Sequence, residues 1–137
     1  MPDAKYLFDT DTITNVLKPH PSRKLLRWLA GISRKQQFIS TITVGEIVYG
    51  AMKSARPEFH IRNLETVLLP RVNIVSFDAK AAFFFGRLRA EQERRGAPSS
   101  HADLQIAAIA LANELVLVTG NVRHFSMIED LNVENWL

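Results

Sequence analysis

The sequence predicts an α/β fold in which a parallel β-sheet is covered by helices on both faces. Short apolar runs rich in β-branched and aromatic residues alternate with longer segments whose apolar residues recur at helical spacing. Strands that alternate with helices in this way form βαβ units, and their strands lie parallel. Ligands of such sheets bind beyond the carboxyl ends of the strands, so we expect the functional residues there.

The strands are predicted in segments that are brief, apolar and bounded by polar residues. They are Tyr6–Phe8, Phe38–Ile42, Val72–Phe77, Leu115–Val118 and a short one near Asn132–Glu134. The helices are predicted between them, at Asp11–Leu17, Ser22–Arg34, Val44–Ala55, Phe59–Leu69, Asp78–Arg95 and Ala102–Asn113. The last of these is apolar nearly all round, which is typical of a buried helix.

Length and composition restrict the class of protein. The chain has 137 residues, which predicts a single domain spanning residues 1–137. The absence of cysteine excludes disulfides, thiolate nucleophiles and cysteine-based zinc sites. We see neither a signal peptide nor an apolar run near the ~20 residues of a membrane helix, so we expect a cytoplasmic protein without membrane contact.

Three acidic residues lie near the predicted starts of helices. Asp9 comes just after the first strand, Glu46 comes after the second, and Asp103 lies at the front of the apolar helix. In a parallel sheet these positions lie along one carboxyl edge. A divalent hard cation, Mg²⁺ or Mn²⁺, would offset the repulsion between such carboxylates and needs only oxygen ligands.

Helix capping is the alternative role for the same acids. The segment from Thr43 to Glu46 has the S/T-x-x-E pattern of a capping box, and Ser100 to Asp103 is a weaker version. Asp9 or Asp11 could cap the short helix that follows the first strand. From the residues alone, capping and cation binding both stay open.

Four fragments in order carry a family resemblance. "YLFDTDTI", "STITVGEIVYGA", "GAPSSHADLQIAAIAL" and "LVLVTGNVRHF" with the later "LNVENW" together resemble the PIN-domain ribonucleases of the VapC/FitB type. These are the toxins of toxin–antitoxin pairs, also called plasmid stability proteins. The resemblance runs from about Lys5 to Trp136. It implies a PIN-like three-layer α/β/α fold with a central parallel sheet of about five short strands, Mg²⁺- or Mn²⁺-dependent hydrolysis of RNA, and inhibition by a small antitoxin protein.

The resemblance also implies roles for individual positions. Asp9, Glu46 and Asp103 correspond to the family's catalytic, metal-binding acids. Thr10, Asp11, Thr119 and Asn121 would surround them. The sequence departs from the family's usual D-T-N at Asp11, and Asn121 stands where many PIN domains have a fourth acid.

Two features of the helix predicted at Asp78–Arg95 indicate binding surfaces. Its basic residues Arg87, Arg94 and Arg95 are candidates for contacts with RNA phosphates, although a solvated face paired with glutamates explains them equally well. Phe83, Phe84 and Phe85 lie about 100° apart on a helix, so one sheet cannot cover all three. We therefore predict a homodimer, or an antitoxin contact, through one of them; the alternative is core burial of two rings with the third half exposed.

Two other functions fit parts of the sequence. "LFDTDTI" approaches the pattern of haloacid dehalogenase-like phosphatases, but no lysine follows Thr119 as that chemistry requires. A non-catalytic RNA-binding module, in which the acids only cap helices, is the second alternative.

Overall fold

The computed structural model describes residues 4–97 and 99–137; residues 1–3 and Pro98, part of the predicted single domain, lie outside the described residues. The strands are β1 (Tyr6–Phe8), β2 (Gln37–Ser40), β3 (Asn73–Val75), β4 (Val116–Val118) and β5 (Val133–Glu134). The α-helices are α1 (Thr10–Asn15), α2 (Arg23–Ala30), α3 (Thr41–Lys53), α4 (Pro57–Asn63), α5 (Ala79–Arg94), α6 (His101–Ala112) and α7 (Val122–Phe125).

The five strands form one parallel sheet in the order β3-β2-β1-β4-β5. The strand β1 is central, pairing Tyr6 with Gln37 of β2 on one side and with Val116 of β4 on the other. Because every strand runs the same way, the carboxyl ends of β2, β1 and β4 lie side by side. The predicted parallel α/β sheet of about five short strands is therefore confirmed.

Helices cover both faces of the sheet, as the prediction of a three-layer fold requires. Successive strand residues point to opposite faces, so Leu7 packs with α5, α6 and α7 while Phe8 packs with α1, α2 and the segment after α4. The helix α6 contributes seven buried residues, which explains its nearly uninterrupted apolar sequence. Among the described residues no helix has the length and apolar character needed to cross a membrane.

Some predicted boundaries differ from the structure. The helix predicted at Phe59–Leu69 is instead α4, which begins with Pro57, followed by a wider π-helical segment at Leu64–Leu68. The short helix α7 has no counterpart among the predicted helices, since four residues carry no recognisable period. Just after α5, Gly96 has φ of +66°, the left-handed conformation that glycine adopts without strain and that commonly follows the end of a helix.

Candidate active site at the carboxyl edge of the sheet

Asp9 connects the ends of two neighbouring strands. It directly follows β1, and its Oδ1 accepts a hydrogen bond from the backbone N of Thr12 at 2.9 Å, so Asp9 caps α1. Its Oδ2 accepts a second hydrogen bond from the hydroxyl of Thr119, which directly follows β4. Capping is therefore one role of Asp9, and it holds the carboxylate at the edge where ligands of parallel sheets bind.

The carboxylate of Asp9 is buried without a neighbouring positive charge. Only 7% of the residue is exposed, and this burial raises the pKa of Asp9 above its ordinary 3.8, although hydrogen bonds from Thr119 and Thr12 oppose the rise. Among the described residues, the close contacts between a basic side chain and a carboxylate are those of Arg89 with Glu93 and His124 with Asp103. A buried carboxylate that no basic side chain offsets is suited to binding a cation.

Glu46 has a different local role from the one its sequence predicts. The cap of α3 is Ser40, whose hydroxyl accepts a hydrogen bond from the backbone N of Thr43 at 3.0 Å. The predicted capping box between Thr43 and Glu46 is therefore wrong, and Glu46 lies in the second turn of the helix. Its side chain is exposed and needs another explanation.

Thr10 links Glu46 to Asp9. The hydroxyl of Thr10 donates to Glu46 Oε1 at 2.6 Å and lies 3.1 Å from the hydroxyl of Thr43. Since Thr10 adjoins Asp9 in the chain, this bond brings the start of α3 next to the end of β1. Space beside Glu46 is open, because a Cβ added at Gly45 or Gly50 would meet nothing within 4 Å.

Asp103 belongs to the same edge of the sheet. The helix α6 leads into β4, which is parallel to β1, so the start of α6 lies at the carboxyl edge. Ser100 caps this helix by accepting from the backbone N of Asp103 at 3.1 Å, as the weaker capping pattern predicts. Asp103 Oδ2 accepts a hydrogen bond from His124 Nδ1 at 3.2 Å. His124 lies in α7 just beyond β4, so this contact places Asp103 beside the end of that strand.

The remaining predicted site residues differ in how closely they approach these acids. Asn121 donates its backbone N–H to the Thr119 hydroxyl at 3.0 Å, and Thr119 in turn holds Asp9. Asp11 is exposed in the first turn of α1. Thr119 is thus a direct partner of Asp9, and Asn121 positions that partner.

The three acids share one edge but form two local groups. Asp9 and Glu46 are joined through Thr10, and Asp103 is joined to His124. Within residues 4–97 and 99–137, no three histidine, aspartate or glutamate side chains form a ready metal-binding group. Whether Asp9, Glu46 and Asp103 converge on one ion stays a prediction.

The predicted RNA-binding arginines lie at different distances from Asp103. Arg95 adjoins the site, because its Nη1 donates to the backbone O of Met127 at 2.9 Å, and Met127 and Asp103 line the same groove. Arg94 is exposed at the end of α5. Arg87 lies two turns earlier over the ring of Phe84, in a depression that also contains Glu91, Glu129 and Asp130. RNA binding by these residues stays a prediction, and it is best supported at Arg95.

Sequence reasoning missed two side chains of this edge. His124 carries no signal in the sequence, because the four histidines show no metal-ligand spacing, yet it contacts Asp103. Thr43 was interpreted as a cap, yet it adjoins Thr10. His124 and Thr43 both lie in sequence fragments that carry the family resemblance. That resemblance was the one signal that could have pointed to them as residues of the site.

Comparison with known proteins identifies the family. The family model described as "PIN domain" matches residues 6–130. This chain belongs to the PIN-domain family. It is 36% identical to the tRNA(fMet)-specific endonuclease VapC of Salmonella typhimurium, covering 96% of this chain and 98% of the relative, and 36% identical to ribonuclease VapC2 of Haemophilus influenzae, covering 97% and 98%.

A solved structure supports the same assignment. The DNA-bound VapBC complex from Salmonella typhimurium contains a chain that matches this one with a TM-score of 0.87 and 33% identity, over 98% of this chain and 99% of that one. The PIN-like three-layer fold predicted from the resemblance is therefore confirmed. Membership of this family removes the haloacid dehalogenase-like alternative.

Proposed function

We propose that this PIN domain is a metal-dependent endoribonuclease that hydrolyses RNA phosphodiester bonds and acts as the toxin of a toxin–antitoxin pair. One observation carries the chemistry: Asp9 is a buried carboxylate without a basic partner among the described residues, held at the carboxyl edge by Thr12 and Thr119. Similarity over nearly the whole chain to proteins named as ribonuclease and endonuclease supports the reaction class.

The residues present fit Mg²⁺ or Mn²⁺. Every candidate donor is an oxygen, which these hard cations prefer, and Mg²⁺ is commonly held by only one or two carboxylates with water completing its shell. Asp9 and Asp103 would hold the cation, with Glu46 as a further ligand. Such a cation, when bound, lowers the pKa of a coordinated water and offsets the charge of the phosphodiester.

The protein's own residues would prepare the attack by water. Thr12 and Thr119 fix the orientation of the Asp9 carboxylate, and Thr10 fixes one oxygen of Glu46. Glu46 is exposed and adjoins open space, so its carboxylate can orient the attacking water and accept a proton from it. In-line attack would leave a 5′-phosphate and a 3′-hydroxyl.

The Asp9→Asn variant tests this proposal against a purely structural role. Cleavage of a long RNA with Mg²⁺ or Mn²⁺ should fall by at least about 100-fold, because an amide binds a cation weakly. Asp78→Asn is the matched control: Asp78 caps α5 by accepting from the backbone N of Ala81 at 3.0 Å, and among the described residues it shares no hydrogen bond or ion pair with Asp9, Glu46 or Asp103. The non-catalytic alternative predicts equal behaviour of the two variants, and a 2′,3′-cyclic phosphate product would exclude attack by water.

The proposal includes a protein partner. The solved relatives include complexes named VapBC, and we propose that this chain likewise binds a small antitoxin in the cytoplasm and forms a homodimer. Its net charge of +3 and the basic α5 suit an acidic partner or an RNA. Co-purification with the product of an adjacent small reading frame, with loss of RNA cleavage in the complex, tests the partner.

A further inference from the structure

A groove opens beside Asp103, and neither Glu46 nor Thr10 is among the described residues that line it. It lies between the end of α5, the start of α6 and α7, and has a volume of about 300 Å³, at the lower end of the range for small-molecule sites. Its lining includes Ser99, Ser100, Asp103, Arg123 and Met127. A groove of this size next to a cation-binding carboxylate can hold one nucleotide beside the bond that is cut.

Gln92 gives this groove a specific chemistry. The residue lines the groove but is only 5% exposed. Among the described residues its side-chain amide has no hydrogen-bond partner, although an amide offers two donors and an acceptor. The one buried unpaired side-chain atom among the described residues is Thr12 Oγ1, so the amide of Gln92 reaches the solvent of the groove, where water or a ligand can pair with it.

The walls of the groove suit the other parts of a nucleotide. Arg123 is exposed on one rim beside His124, and the start of α6 adds the positive end of a helix; the guanidinium and the helix end both attract a phosphate. Met127 supplies an exposed apolar side chain against which a base can pack. Arg95 fixes this wall through its bond to the backbone O of Met127.

We infer that Gln92 reads the base of a nucleotide flanking the cut, so that this groove determines sequence preference. The inference rests on the ribonuclease activity proposed above. A glutamine amide makes two hydrogen bonds to the edge of adenine, so adenine is the preferred base. Bases in single-stranded RNA are accessible for such readout, which makes a loop or unpaired segment the substrate.

The test measures kcat/KM on RNA oligonucleotides with one mapped cut site, in which each flanking nucleotide is varied through the four bases. We expect wild type to favour adenine at one flanking position by about tenfold, since a good pair of base contacts discriminates by this order. Gln92→Met removes the amide at similar volume and should make the four rates equal. Gln105→Met, the same change on α6 outside the groove, should retain the preference.

The outcomes separate the two proposals. If wild type cuts none of the RNAs with Mg²⁺ or Mn²⁺, both the ribonuclease proposal and the inference fall. If wild type cuts all four bases equally, or if Gln92→Met lowers every rate by the same factor, the base-reading role is wrong and the ribonuclease proposal stands. Should Gln92→Met fail to fold, wild-type protein is tested on an RNA with an abasic nucleotide at the preferred position. The inference requires kcat/KM to fall about tenfold, and an unchanged kcat/KM overturns it.

Discussion

The carboxylate of Asp9 combines a structural and a chemical role. Two hydrogen bonds and the capping position favour its charged form. Burial disfavours that charge and raises the pKa of Asp9. Asparagine caps helices about as well as aspartate does. The Asp9→Asn substitution removes the charge and keeps the helix cap, so it separates the chemical role of Asp9 from its structural role.

The Asp9→Asn variant should be more stable than wild type near neutral pH. Because the folded pKa of Asp9 is raised above 3.8, the stability contributed by the protonated carboxyl is complete below pH 3.8 and is lost as the pH rises through the folded pKa. The stability difference between variant and wild type should thus be small near pH 3.5 and grow toward pH 7, by about 1.4 kcal/mol for each unit of pKa shift. Urea unfolding in EDTA at a series of pH values measures it.

Addition of Mg²⁺ provides the control for that experiment. A cation bound to the folded wild type stabilises it by mass action and should shrink the difference, while leaving the variant unaffected. A difference that is independent of pH would contradict the assigned pKa direction, and one that is independent of Mg²⁺ would contradict cation binding at Asp9.

The Thr10→Val variant tests the link between Glu46 and the end of β1. Loss of the 2.6 Å hydrogen bond frees the Glu46 side chain, so we expect kcat on RNA to fall about tenfold. The bond lies at an exposed site, so the free energy of unfolding should change by no more than about 1 kcal/mol. Thr10→Ser keeps the hydroxyl and should retain most of the activity; a loss in Thr10→Ser with none in Thr10→Val would show that packing of the methyl group, rather than the bond, matters.

Residue types and their spacing single out the candidate acids but not all of their partners. Asp9, Glu46 and Asp103 stand out because each lies near one end of a predictable apolar segment. Gln92 and His124 gave no such signal, because an isolated polar residue acquires meaning only when distant segments meet. The contact of His124 with Asp103 spans 21 positions, and the one between Thr119 and Asp9 spans 110.

At the scale of elements, the start of α3 shows where local patterns mislead. Thr41, Ile42 and Thr43 resemble the continuation of a strand because they are β-branched. The hydroxyl of Ser40 instead caps the helix, so β2 ends at Ser40 and α3 begins at Thr41. Several serine and threonine residues stood close enough to serve as the cap, and only the geometry of the chain selects one.

Ser40→Ala should therefore weaken α3 at the end nearest the site. The buried backbone N–H of Thr43 loses its acceptor, so we expect a loss of about 1–2 kcal/mol in the free energy of unfolding. Chemical denaturation measures this loss. Ser40→Thr retains a hydroxyl and should lose less; Thr43→Ala, predicted by the capping-box pattern to be the more damaging change, should instead leave the cap intact.

The helix α5 confirms that a sheet cannot cover three consecutive phenylalanines. Phe84 and Phe85 pack against the core, whereas Phe83 is 78% exposed. The helical spacing predicts this division because 100° separates successive side chains. The identity of the exposed ring was not predictable, since it depends on how α5 is rotated against α6.

At the scale of the whole molecule, Phe83 is the exposed ring through which we predict association. Phe83→Ser should shift the species seen in sedimentation from dimer to monomer without lowering the melting temperature, because the ring has little contact with its own chain. Val67→Ser, at another exposed apolar residue, is the control. A wild-type protein that sediments as a monomer would contradict the predicted homodimer.

The architecture of the whole chain was the most predictable level. Alternating apolar segments define βαβ units, and a right-twisted parallel sheet with helices on both faces is nearly the only way to bury them. The order of the strands was not predicted from the residues, because pairing of β1 with β4 depends on contacts between segments more than a hundred positions apart.

That pairing has a consequence for the growing polypeptide. The first strand emerges from the ribosome early, but Asp9 can meet Thr119 only after position 119 has been synthesised and β4 has joined the sheet. A nascent chain on the ribosome therefore has an incomplete candidate active site. The cell is spared RNA damage from unfinished copies, and an inhibitor needs to capture only finished molecules.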